Sequence, residues 1–100
     1  MTLRHIVMWK LNGESVADRD AQATEIIEAL VPLRDSVPSV RSLQVQRNEL
    51  FEGANYDVVL IGDFDDADGL ETYATHPEHV KVIDLVRGYS ADRVAVDFTL

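Results

Sequence analysis

The sequence contains no cysteine, and it has little positive charge. The absence of Cys excludes disulfides, thiolate nucleophiles and cysteine metal sites, and it is compatible with a reducing compartment. Only 9 Lys and Arg residues stand against 18 Asp and Glu, and the basic residues form no cluster. Because nucleic acids and anionic membranes are bound through basic surfaces, we expect neither as a partner.

The sequence also lacks a long hydrophobic run. The longest apolar runs, Ile6–Trp9 and Val58–Ile61, have four residues each. A membrane span needs about 20 apolar residues and a signal peptide about 7–15. We therefore expect a cytoplasmic protein. With 46% hydrophobic residues over 100 positions, the chain should fold as a single domain, residues 1–100.

The hydrophobic pattern predicts strands alternating with helices. β-branched runs and period-two alternation predict the strands. A first helix should begin after Ser15, a good N-cap, and run to about Leu30 or beyond with an apolar face. Pro32 should end or kink this helix, and a loop is predicted over Asp35–Ser39. The predicted strands cover residues 3–11, 40–48, 56–64 and 92–99.

The second helical region should be broken at His76-Pro77. A short helix is predicted to begin at Asp65 or Asp66, and a further helix to run over roughly 77–86, with Gly88 letting the chain leave. The resulting order, βαββαβ, predicts an α+β ferredoxin-like fold with one four-stranded sheet and its helices on one face. In the last helix, the expected inward residues are Val80, Ile83 and Leu85 or Val86.

The first and third strands are apolar on both sides. In the first strand, Ile6 and Met8 alternate with Val7 and Trp9, and the third strand repeats this pattern. A strand that is apolar on both faces is typically buried on both faces. Since one helix layer covers only one face, we expect a second copy of the chain to cover the other, giving a homodimer. The alternative is a monomer with a partly exposed apolar face.

Histidines are the main candidates for chemistry. His5 lies in the first strand on the side of Val7 and Trp9, while His76 and His79 flank the helix break. An imidazole in an apolar cavity suits acid–base catalysis, and the Tyr73 hydroxyl could donate to a developing oxyanion. The structural alternative is that His5 is a core residue with a satisfied ring nitrogen and that His76 is a helix-end residue.

No motif predicts a metal site. The acidic residues between Asp63 and Glu71 do not have the spacing of a calcium-binding loop, and a helix N-terminus explains them better. In the HPEH segment the two histidines are separated by a proline and lack a third ligand at a natural spacing.

Several segments together resemble the stress-responsive A/B barrel (Dabb) domain family. These are Arg4-His5-Ile6-Val7, Tyr56 at the third strand, Tyr73 through His76-Pro77-Glu78-His79-Val80, and Asp92-Arg93 before the closing strand. The resemblance covers nearly the whole chain. It implies a ferredoxin-like fold whose sheets pair in a dimeric α+β barrel, and it implies no assured activity, because most members have none established.

The resemblance also implies candidate site residues. One plant branch of the family cyclises a poly-β-keto thioester by aldol chemistry without a cofactor. It uses a helix tyrosine and the second histidine of H-P-x-H, which are similar to Tyr73 and His79, and a first-strand pocket histidine similar to His5. A further pocket histidine of that branch is replaced here by Val58. Another branch, the plant stress proteins, acts as stable assemblies rather than as enzymes.

We therefore predict a small homodimer with a small-molecule cavity between helices and sheet, and no cofactor. The first function is that of a family member with no assured activity, and the alternative is a cofactor-free polyketide cyclase or isomerase acting on a small carbonyl or aromatic molecule. In that case His79 would be the general base, Tyr73 would orient it or bind the oxyanion, and His5 would contact substrate. A cavity of about 300 Å³ or more would favour chemistry. The expected apolar substrate contacts are Val7, Trp9, Val58 and Leu60.

Overall fold

Four strands form one antiparallel sheet in the order β2-β3-β1-β4. The computed structural model describes residues 1–100. Each predicted strand is present, and its ends differ from the prediction by at most two residues. The α+β ferredoxin-like fold is confirmed. The strands are β1 (Leu3–Leu11), β2 (Ser42–Arg47), β3 (Val58–Phe64) and β4 (Ser90–Thr99).

The helices follow the predicted order, with one addition. The first begins as predicted, because the Ser15 side chain accepts a hydrogen bond from the Asp18 backbone N–H. Pro32 ends that helix and then starts a four-residue helix, since the fixed φ of proline suits a helix start. This short helix includes Asp35 and Ser36, the first two residues of the predicted loop. The helices are α1 (Val16–Leu30), α2 (Leu33–Ser36), α3 (Ala67–Thr75) and α4 (Pro77–Tyr89).

Helix α4 differs from its prediction in length and in phase. It continues to Tyr89, so Gly88 lies inside the helix and not at an exit. Asn12 explains the extension: its backbone N–H donates to the Tyr89 carbonyl at 2.9 Å and its side chain to the Gly88 carbonyl at 2.8 Å. Val80 is 51% exposed, so the expectation that it faces inward is wrong. The inward stripe, at helical spacing, is His79, Val82, Ile83 and Val86.

The core lies between one face of the sheet and the helices. Phe64 and Ile26 are completely buried there, and the predicted apolar face of α1 packs against β1 and β2. The strand phase is as predicted, because Val7 and Trp9 point into this core. None of the four helices combines the length and apolar character that crossing a membrane would need.

The other face of the sheet is apolar and largely open to solvent. In the register of the sheet, Ile6 lies between Val96 and Ile61, and Met8 lies beside Val94. The neighbouring strands β3, β1 and β4 therefore present aliphatic side chains on this outer face, as predicted from strands that are apolar on both sides. Its exposed large hydrophobic residues are Met8, Val94, Val96 and Phe98.

Candidate functional site

The site is formed where the chain breaks between α3 and α4. His76 has an extended backbone (φ −64°, ψ 137°), because the ring of Pro77 disfavours a helical conformation in the preceding residue. The His76 ring caps α4, since its Nδ1 accepts a hydrogen bond from the Glu78 backbone N–H at 3.1 Å. The structural alternative for His76, a helix-end residue, is therefore confirmed.

The break brings Tyr73 and His79 together. Residues six apart in an unbroken helix point about 120° away from each other, because one turn takes 3.6 residues. Here the redirected α4 places the two rings with centroids 4.5 Å apart and planes tilted by 48°. The other side of Tyr73 contacts Phe64, with ring centroids 5.4 Å apart.

His79 is held as a neutral base. Its Nδ1 lies 2.9 Å from the Ala74 carbonyl oxygen, which can only accept, so the ring proton resides on Nδ1. Nε2 then carries the lone pair and has no protein partner. Partial burial lowers the pKa of His79. The Ala74 carbonyl opposes that shift, and the nearby charges of His5, Arg87 and Arg93 add to it.

Tyr73 is a buried hydrogen-bond donor. Tyr73 is 4% exposed, and burial raises the pKa of its hydroxyl to about 12. The hydroxyl therefore keeps its proton at neutral pH, and it forms no hydrogen bond with another protein group. Such a hydroxyl is available to donate to the oxygen of a ligand.

His5 lies on the helix-facing side of β1, as predicted, with its side chain 12% exposed. Its Nδ1 lies 2.5 Å from Oδ1 of Asp97, the residue opposite it in the β1–β4 register. A carboxylate that accepts from Nδ1–H fixes the ring orientation and directs Nε2 away from Asp97. His5 thus has the satisfied nitrogen of the structural alternative and also lines the cavity.

These side chains share one cavity of about 340 Å³. The sheet supplies His5, Val7 and Trp9, and the helices supply Tyr73 and His79 opposite them. Six of the seven predicted site residues line it; the sixth is Leu60. Val58 is the exception: it is 2% exposed and faces the core beside its register partner Trp9, outside the cavity lining. Val58 therefore differs from the expectation only in its place, since it does not line this cavity.

The two arginines of the cavity, Arg87 and Arg93, were not predicted as site residues from the sequence. Arg87 lies in the last turn of α4, and Arg93 is the register partner of Trp9 on β4. A signal for Arg93 exists in the alternation of β4, whose helix-facing side carries Arg93 and Asp97 while its other side carries Val94 and Val96. Assigning those sides requires the strand register, which no local pattern gives.

The acidic run before α3 forms a helix start. The Asp66 carboxylate accepts a hydrogen bond from the Gly69 backbone N–H at 2.9 Å and caps α3, and Asp65 pairs with Arg41. No three His, Asp or Glu side chains lie close enough together to hold a metal ion.

Comparison with known proteins identifies a family and several similar structures. The family model described as Stress responsive A/B Barrel Domain matches residues 3–100. A crystal structure of a dimeric protein of unknown function and ferredoxin-like fold from Bacteroides fragilis superposes with a TM-score of 0.89 at 28% identity, covering 99% of this chain and 96% of the other.

Two further relatives are similar over most of their length. A dimeric ferredoxin-like protein of unknown function from Thermobifida fusca has a TM-score of 0.84 at 31% identity, covering 100% of this chain and 92% of the other. An uncharacterized protein of Streptomyces coelicolor is 28% identical over 88% of this chain and 90% of its own. None of these three relatives is described as having a specific activity.

Proposed function

Since this chain belongs to the stress responsive A/B barrel domain family, we propose that its cavity is the site of a proton transfer on a small carbonyl compound. The observation that carries the proposal is the pairing of a neutral His79, which presents Nε2, with the protonated hydroxyl of Tyr73 at one cavity. A base and a donor on the same substrate are the two groups that enolisation requires.

The reaction would proceed by general base catalysis. Nε2 of His79 takes a proton from the carbon next to the carbonyl group, and the electron pair of that C–H bond moves to the carbonyl oxygen. The Tyr73 hydroxyl donates a hydrogen bond to the enolate oxygen so formed. His79 then returns its proton to the same carbon or to another, giving exchange or isomerisation. His5, fixed by Asp97, contacts the substrate from the sheet.

The experiment is hydrogen–deuterium exchange at carbon, followed by NMR in D2O. A panel of methyl ketones, β-keto esters and oxo acids is incubated with the protein and with free imidazole at the same concentration. We expect the wild-type protein to exceed imidazole on at least one compound. His79→Ala should lower that rate by about 100-fold or more, and Tyr73→Phe by about 10- to 100-fold.

His76→Asn is the matched control. It removes an imidazole three residues from His79, outside the cavity, and asparagine retains the helix cap. The rate should be unchanged. Exchange no faster than with imidazole over the whole panel, or an equal loss in His76→Asn and His79→Ala, would contradict the proposal.

A non-enzymatic role is the second candidate, and one contact favours it. The His79 hydrogen bond to the Ala74 carbonyl ties the start of α4 to the end of α3. If this is its whole purpose, His79→Ala will reduce stability and no compound in the panel will exchange faster than with free imidazole. The protein would then be an assembly or stress protein, as in the branch of the family that acts without catalysis.

We also propose that the chain forms a homodimer through the outer face of its sheet and acts in the cytoplasm. The apolar character of that face supports the dimer, and similar proteins from Bacteroides fragilis and Thermobifida fusca are described as dimeric. The lack of cysteine supports the location, because a reducing compartment does not permit stable disulfides.

A further inference from the structure

Arg87 and Arg93 are unusual among the basic residues of this chain. They are the only Lys or Arg side chains that form neither an ion pair nor a side-chain hydrogen bond; the other seven all have a protein partner. Residues 51–100 contain 3 basic and 11 acidic residues. Of those three, Lys81 pairs with Glu78, and the two arginines both line the cavity.

The two arginines approach the cavity from different walls. Arg93 stands on the helix-facing side of β4 next to Trp9, and Arg87 follows Ile83 by one turn of α4. Both charges act on the His79 ring, which they help to keep unprotonated. The lining contains no acidic residue, and the nearby carboxylate of Asp97 already accepts from His5.

Both arginines are exposed and can be solvated by water, but they lie at one concave site and have no carboxylate partner in the chain, so both are available to an anionic ligand. The position of Arg87 in the last turn of α4 also suits the helix dipole, but Arg93 lies on a strand, where no such dipole acts. A guanidinium group matches a carboxylate through two parallel hydrogen bonds. The mostly apolar lining favours an organic anion over a fully hydrated inorganic one.

We propose that the cavity binds a small organic carboxylate, whose charged group lies between Arg87 and Arg93 and whose hydrocarbon part contacts Trp9 and Leu60. The proposal rests on the proposed function in naming its substrate class: an oxo acid with its acidic C–H near His79. A volume of about 340 Å³ is at the lower end of ordinary ligand pockets, which suits a molecule of metabolite size.

The test compares binding of carboxylates and their neutral amides, without turnover. Benzoate is paired with benzamide and hexanoate with hexanamide, and inorganic phosphate is a third probe; affinities are measured by ligand-observed NMR and calorimetry. We expect at least one carboxylate to bind about tenfold more tightly than its amide and more tightly than phosphate.

Variants assign the preference to the two arginines. Arg87→Gln and Arg93→Gln should each weaken carboxylate binding about tenfold and leave amide binding unchanged. Arg93→Lys keeps the charge but not the two parallel N–H donors of a guanidinium group. It should lose less affinity for the carboxylates than Arg93→Gln. Arg34→Gln is the matched control, because it removes the same charge from a residue that is exposed like the two arginines but lies outside the cavity.

Three results would overturn the carboxylate site: no preference for either carboxylate in the wild-type protein, including no binding at all; phosphate binding equal to that of the carboxylates; or an equal loss in Arg34→Gln. His79→Ala separates this inference from the proposed function, because it should retain the carboxylate preference. A preference for carboxylates without carbon-bound exchange would overturn the proton transfer alone, and exchange without that preference would overturn the carboxylate site alone.

Discussion

The imidazole of His79 has its two nitrogens in different environments, and this determines its behaviour with pH. Nδ1 donates to the Ala74 carbonyl, while the ring is half-buried beside Tyr73. Burial lowers the pKa of His79 below its ordinary value of 6.5, and the nearby charges of His5, Arg87 and Arg93 lower it further against the Ala74 hydrogen bond. A base with a pKa below neutrality is already unprotonated at pH 7.

We therefore predict that base activity rises with pH, with a midpoint below 6.5, the ordinary pKa of a histidine. Stability also rises with pH, because the unfolded chain binds more protons than the folded chain at pH values between the folded and unfolded pKa of His79. The contribution of His79 to stability is full above its pKa in the unfolded chain, and it is lost as the pH falls through its lower pKa in the folded chain. A titration of the His79 ring protons by NMR measures this directly; a midpoint at or above 6.5 would contradict it.

The contacts of His79 also predict a loss of stability on its removal. His79→Ala deletes one hydrogen bond, which contributes about 1 kcal/mol, and one aromatic contact, which contributes about 0.5–1.5 kcal/mol. We expect the free energy of unfolding in urea to fall by about 1–3 kcal/mol. A change below about 0.5 kcal/mol, the usual effect of a surface substitution, would show that the ring does not tie the two helices together.

At the scale of elements, the break between α3 and α4 determines the site, and His76 stabilises that break. Its ring supplies the cap of α4 by accepting from the Glu78 N–H. We predict that His76→Ala lowers the free energy of unfolding by about 1 kcal/mol, the usual cost of losing a cap, whereas His76→Asn changes it little because asparagine caps well. Equal losses in the two variants, measured by chemical denaturation, would mean that the His76 ring acts through another contact.

The sequence predicted the elements better than their ends. Alternation and β-branched runs identify all four strands, since these patterns are local. The end of α4 depends on Asn12, which is distant in sequence and supplies the donors for its last carbonyls, so no local signal predicts it. Hydrophobicity suggested Val80 as an inward residue, but the inward stripe begins at the polar His79, and Val80 beside it faces solvent.

In the candidate site, too, local sequence patterns predict some features, and contacts between distant residues determine others. Tyr73 and His79 could be paired in advance because the Pro77 break redirects the helix, which is a local effect of the proline ring. Arg93 reaches the cavity only through the β1–β4 register, and Arg87 only because α4 runs past residue 86. The positions of both arginines depend on contacts between residues distant in sequence. Local sequence patterns therefore do not predict the positive charge of the cavity.

At the scale of the whole molecule, charge and apolar surface are separated. The chain carries a net charge of −9, yet the charged side chains lining the cavity are the arginines Arg87 and Arg93. The apolar surface is concentrated on the opposite face of the sheet, where Val94, Val96 and Phe98 project from β4. An acidic exterior keeps separate molecules apart, so association should be confined to a face that lacks this charge.

This distribution predicts a dimer through the outer face of the sheet. A stable interface buries about 1,200 Å² or more in total, and the aliphatic side chains around Ile6, Met8 and Val96 form a continuous apolar surface for it. Light scattering at micromolar concentration should give about 22 kDa, twice the 11.2 kDa of one chain.

Val96→Lys should convert the protein to monomer, because a buried ammonium group without a partner is costly to desolvate. Val80→Lys is the matched control: Val80 is 51% exposed and Val96 53%, but Val80 lies on α4, away from the sheet face. A wild-type mass of about 11.2 kDa, or equal dissociation by the two lysine variants, would contradict a dimer formed by this face.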